Sequence, residues 1–161
     1  MTLPGCGVRL GVSAYTGQDE DAEPDDARHT SAGAHVEYVT QSWSVRSEYS
    51  HVRDRQETST DAFYLEAARR LGDAWQIAAR YDRFAARMNE VDTDAAPSLL
   101  EHREVTLGLN YWFHPDLVAK LALSDIEGHR FARPEDLADA VADGALPQRI
   151  RHLSLGVQFA F

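Results

Sequence analysis

Ten ionisable side chains fall in one period-two phase along this sequence: Arg9, Glu37, Arg46, Glu48, Glu66, Arg70, Arg80, Asp82, Glu104 and Lys120. Each alternates with apolar or small neighbours, which is the signature of strands that keep one face wet. Spread around a wide enclosure, five basic and five acidic groups line a water-filled passage and bias the transit of small ions and polar solutes. Crowded into a narrow one, they pair into a polar plug. Other chemistry is poorly supplied. The seven histidines have no metal-ligand spacing, and the single Cys6 has no CxxC partner. No glycine-rich loop is built for phosphate. The acidic run from Gly17 to Arg28, GQDEDAEPDDAR, lacks the spacing and glycine of a calcium loop and reads as a solvated surface segment. No metal and no cofactor is implied.

The elements that must position these charges are strands. The alternation predicts eight of them, at about 7–16, 32–40, 42–53, 62–71, 74–87, 103–113, 117–127 and 149–161. The segment 62–88 is rich in helix formers. Its alternation, Phe63, Leu65, Ala67 and Leu71 and then Trp75, Ile77, Ala79 and Tyr81, nevertheless selects strands on either side of Gly72-Asp73. Arg69 breaks the apolar phase. The last strand, RIRHLSLGVQFAF, places Leu153, Leu155, Val157, Phe159 and Phe161 on one face. A short helix is predicted within 128–148, where Pro134 and two acids precede Leu137 and Val141 and Gly144 supplies a stop.

With 161 residues, 43% apolar and 26% charged, the chain has the size of one domain and the bulk composition of a water-soluble protein. Composition hides a transmembrane barrel, because only alternate strand residues meet lipid. The net charge of −10, with no basic cluster, argues against a nucleic-acid partner. The connections alternate long, short, medium, short, long, short and long, so all short turns fall on one side of the sheet together with both ends of the chain. Trp43, Trp75, Tyr111 and Phe113 stand beside those short turns on the apolar face, where an aromatic girdle meets lipid headgroups. The fold expected is all-β: an antiparallel up-and-down transmembrane β-barrel of about eight strands, either part of a larger barrel or closed on itself.

GVRLGVSAYTG, YLEAARRLGDAWQIAARYDRF and EVTLGLNYWFHPDLVAKL, followed by a strand ending in Phe161, resemble the downstream half of Gram-negative porins of the phosphate-selective O and P type. The resemblance implies a place in the bacterial outer membrane, contact with membrane lipid and lipopolysaccharide, and passive diffusion of small hydrophilic solutes. It also implies that Phe161 is an assembly signal read by the barrel-assembly machinery, and that the parent is a homotrimer. Such porins have about sixteen strands, of which this chain would supply half. No ligand residue carries over, since the phosphate-binding part of the family lies upstream.

Two other readings stay open. One is a complete small eight-stranded outer-membrane barrel with a structural or adhesive role. The other is a soluble lipocalin-like ligand-binding barrel, with the faces inverted. His152-Leu153-Ser154 resembles the His-x-Ser of outer-membrane lipid A deacylases, but period two puts both residues on the wet face, and too little chain follows to supply an acid for the histidine. No enzymatic activity is expected.

Overall fold

The computed structural model describes residues 2–3, 7–18, 28–54, 59–87, 101–128 and 149–160. These form strands only: β1 (Thr2–Leu3), β2 (Val8–Gln18), β3 (Arg28–Val39), β4 (Trp43–Asp54), β5 (Ser59–Leu71), β6 (Trp75–Arg87), β7 (Glu101–His114), β8 (Leu117–Gly128) and β9 (Arg149–Phe159). They lie in one antiparallel sheet in the order of the chain. The eight long strands are those the alternation predicts, and most run one to four residues further toward the long connections. β1 is an addition. It is a two-residue stub paired with Val8 and Arg9 of β2, too short to leave an alternating pattern.

The sheet is open: β9 is hydrogen-bonded to β8 and not to β2. Of the two architectures expected, part of a larger barrel or a barrel closed on itself, the described strands do not have the closed form. The helix expected within 128–148 and the assembly signal Phe161 lie outside the described residues.

The segment 62–88 is strand throughout. Ala, Arg and Leu favour a helix by a few tenths of a kcal/mol per residue. Pairing β5 and β6 along thirteen partners, with β4 and β7 on their outer flanks, outweighs that preference. Tight turns fix the register. The Thr40 hydroxyl accepts from the Trp43 amide at 2.9 Å and closes the β3–β4 hairpin. Gly72 takes φ of 70° in the β5–β6 turn, a conformation that only glycine adopts without strain.

Among the described residues no second layer packs on this sheet, so they form no apolar core in the ordinary sense. Among the described residues five are buried, Ala68, His102, Val118, Ser124 and Gly128, and all lie on the charged face, where neighbouring strands crowd one another. Large apolar side chains populate the other face. Leu155 and Val157 are 79% and 74% exposed, and Leu107, Leu121 and Phe159 are exposed with them. Leu109, on the same face, is half-buried.

Candidate functional site

Register turns the scattered charges of the wet face into layers. Arg9 pairs with Glu37, Glu37 with Arg46, Arg46 with Glu66, and Glu66 with Arg80. Five adjacent strands thus carry one row of alternating sign. Glu37 binds Arg9 and Arg46, each at 2.9 Å, and Arg80 lies 3.5 Å from Glu66. Opposite charges directly across a strand pair stabilise the sheet, and the alternation satisfies every member from a neighbour. The row continues through Thr106, Ser124 and His152, with Thr106 and Ser124 hydroxyls 2.7 Å apart.

One layer toward the long loops lie Glu48, Tyr64, Asp82 and Glu104, again directly paired. Asp82 is held by Arg80 from its own strand, at 2.7 Å to Nη2 and 2.8 Å to Nε. Glu104 accepts from the Thr106 hydroxyl at 2.9 Å. Toward the short turns comes a layer of small residues, Ser44, Ala68, Ala78, Gly108, Ala122 and Ser154. Beyond it lies a polar layer of Arg70, Gln76, Asn110 and Lys120. Asn110 donates to Gln76 at 2.8 Å, Lys120 donates to Gln158 at 2.6 Å, and Arg70 stacks 4.8 Å above the Trp112 ring. All ten charges expected on the wet face therefore share it. Eight occupy two adjacent layers, and Arg70 and Lys120 lie nearer the turns.

The opposite face is organised by depth. Beside the short turns Trp75 stacks on Tyr111 at 4.5 Å, and Tyr111 meets Phe113 edge-on at 4.7 Å. Trp43 stands on the same side, with the Arg69 guanidinium 5.2 Å above its ring. That stacking gives Arg69, the break in the apolar phase, an aromatic partner. A second aromatic row escaped the sequence reading: Tyr49, Phe63 and Tyr81, with Tyr49 directly opposite Phe63. The signal was present. Tyr49 follows Trp43 by six residues and Tyr81 follows Trp75 by six, so each pair shares a face, about 20 Å apart along the strand. Beyond the second row the face turns ionic. Asp61 binds His51 at 2.9 Å and the Tyr49 hydroxyl at 2.5 Å, and Asp125 takes both prongs of Arg149 at 2.7 and 2.6 Å.

The apolar band between these borders runs obliquely across the sheet. On β2 it comprises Val8, Leu10, Val12 and Ala14; on β9 it comprises Leu153, Leu155, Val157 and Phe159. Stepping from partner to partner, the row of Val8 arrives at Leu153. Val8 is the turn-side end of the band on β2, whereas on β9 that end is Phe159, six residues further on. Six residues of displacement is about 20 Å, and seven strand-to-strand steps are about 34 Å, so a level band requires strands tilted by roughly 30°. Membrane barrels tilt their strands by similar amounts.

Among the described residues no group of three or more His, Cys, Asp or Glu side chains is placed to hold a metal ion. His152 and Ser154 lie on the charged face, in successive layers. Compared with models of protein families, with curated proteins and with solved structures, the chain gives no match.

Proposed function

We propose that this chain forms part of the wall of an outer-membrane porin, which admits small ions and hydrophilic solutes by passive diffusion along its charged face. The oblique apolar band carries the reading. One face is exposed, greasy and bordered by aromatic rows about 20 Å apart, and only a tilted strand arrangement in a thin hydrocarbon layer makes that band level. The other face is layered with charges that stay hydrated when they line water. A lipocalin-like barrel would instead turn Leu107, Leu155 and Val157 into a protein interior, and the aromatic borders of the oblique band would have no role there.

The resemblance to phosphate-selective porins supports the reading for the wall. It assigns no solute preference, because the ten charges of the wet face balance. Partition tests the proposal. Refolded with phosphatidylcholine vesicles, the chain is expected to float with lipid and resist alkaline extraction. Recovery as a monodisperse protein in buffer without detergent would sink the membrane reading.

A further inference from the structure

The charges of the wet face balance as a whole but not layer by layer. The layer of Glu48, Tyr64, Asp82 and Glu104 holds three carboxylates and, followed from β2 to β9, no lysine or arginine. Arg80 reaches it from the neighbouring layer and is committed to Asp82, with its guanidinium stacked over Tyr64. Glu104 accepts from the Thr106 hydroxyl. Glu48 is exposed and has neither a hydrogen bond nor an ion pair among the described residues.

One further layer toward the long loops come Ser50, Ala62, Phe84 and His102, directly paired across β4 to β7. Ser50 and Ala62 end at a hydroxyl and a methyl, whereas their neighbours are rings. The mismatch leaves a hollow of about 200 Å³ between the two layers, with Glu48, Tyr64, Phe84 and His102 around it. His102 is its unusual wall. The side chain is 5% exposed, yet neither ring nitrogen is hydrogen-bonded, and the Glu104 carboxylate stays 3.6 Å from Nε2. Buried polar groups are nearly always hydrogen-bonded, so an imidazole without a partner at the wall of a hollow is a group left for a ligand.

We propose that this hollow binds small organic ammonium ions, whose N–H groups donate to the Glu48 carboxylate and to the unprotonated ring nitrogen of His102 while the hydrocarbon part lies against Phe84. Hydrogen bonds from a charged donor to a carboxylate are the strong ones, and an aromatic face attracts a cation. Other solutes fit less of the site. An anion meets Glu48, Asp82 and Glu104, with the one nearby guanidinium already held by Asp82. A neutral alcohol leaves Glu48 without a countercharge. A bare metal ion has no use for the ring of Phe84, and no metal-holding group of His, Asp and Glu is present among the described residues. The inference rests on the porin reading, which brings solute to this face, and adds to it a class of solute.

The test is titration of the full chain in detergent micelles, followed by nuclear magnetic resonance of nitrogen-labelled histidine rings, with the His102 ring assigned through its backbone amide. Butylammonium, butanol and butyrate serve as probes at equal ionic strength. Butylammonium is expected to shift the His102 ring signals with an affinity about tenfold above that of butanol, and butyrate to leave them in place. E48Q, at an exposed carboxylate with no partner to lose, is expected to bring butylammonium down to the affinity of butanol. E127Q removes the same charge from an exposed site on the opposite face and is expected to change nothing. Circular dichroism checks that both variants keep their strand content. Equal affinities for butylammonium and butanol, tighter binding of butyrate, displacement of butylammonium by an equal concentration of potassium, or undiminished affinity in E48Q would overturn the proposal. Each of those outcomes leaves the chain in its micelle and the porin reading standing. A chain recovered in buffer without detergent sinks the porin reading instead, and the same titration there still judges the hollow.

Discussion

Arg80 faces Glu66 directly across the β5–β6 pair, yet its shortest contacts go to Asp82, two residues along its own strand. Nη2 and Nε lie 2.7 and 2.8 Å from the Asp82 carboxylate, whereas Glu66 is 3.5 Å away. The same guanidinium stacks 4.3 Å over the Tyr64 ring. Arg80 therefore ties the alternating row to the acidic layer above it.

Replacing Arg80 with Gln removes that tie and leaves the Asp82 carboxylate, diagonal to Glu66 across β5 and β6, without its guanidinium partner. The variant is expected to lose about 1–3 kcal/mol of stability. E66Q, which keeps the Arg80–Asp82 pair, is expected to lose less than 1 kcal/mol, roughly the worth of an exposed ion pair. Urea unfolding of vesicle-inserted protein gives the comparison, and equal losses would show that Arg80 is no hub.

Leu121 lies midway in the band, in the row of Ile77, Leu109 and Leu155. A charge there must enter the hydrocarbon, at about 2–4 kcal/mol. L121R is thus expected to insert poorly into vesicles, while S154K, one layer from the alternating row on the wet face, inserts like the parent. A soluble barrel with inverted faces also buries Leu121 and is also damaged by L121R, but it leaves the parent and S154K in buffer without lipid, so flotation of the parent and S154K decides between the two.

Three tryptophans report on depth. Trp43 and Trp75 stand at the turn-side border of the outward face, and Trp112 is on the wet face beneath Arg70. In single-tryptophan variants, lipids brominated near the headgroup are expected to quench Trp43 and Trp75 strongly, with deep bromines weaker. Trp112 is expected to respond instead to aqueous acrylamide. Strong bromine quenching of Trp112 would place lipid against the charged layers.

The isolated chain is expected to insert yet show little or no conductance in planar bilayers, because an open wall of eight long strands encloses no passage of its own. Stable openings on the nanosiemens scale would mean that several copies build one pore.

The two faces and eight long strands were legible because side-chain direction alternates with period two regardless of partners. Layers were not, since register belongs to pairs of strands: Arg9 and Arg80 lie 71 positions apart, and nothing in either neighbourhood says that three partners link them. The turn-side aromatics were found by their closeness to turns. Tyr49, Phe63 and Tyr81 have no turn beside them, and only the six-residue interval from Trp43 and Trp75 marks them. The arginines at the loop-side end of the outward face were missed for a related reason. Arg83, Arg103, Arg149 and Arg151 come from three strands and gather only when β7 and β8 bring them level. The β1 stub has two residues, fewer than any alternation can reveal.

The oblique band also fixes a calibre. Strands about 4.8 Å apart and tilted by roughly 30° each take about 5.5 Å of circumference, so eight close a ring about 14 Å across at the backbone and sixteen a ring about 28 Å across. The alternating row from Arg9 to Arg80 covers four strand-to-strand steps. In the narrow ring that is about three-eighths of a turn, and Arg9 and Arg80 would reach toward each other through a lumen with little room for water, about 10 Å apart in height. In the wide ring the row is about a fifth of the arc, and its two ends look past each other into open water.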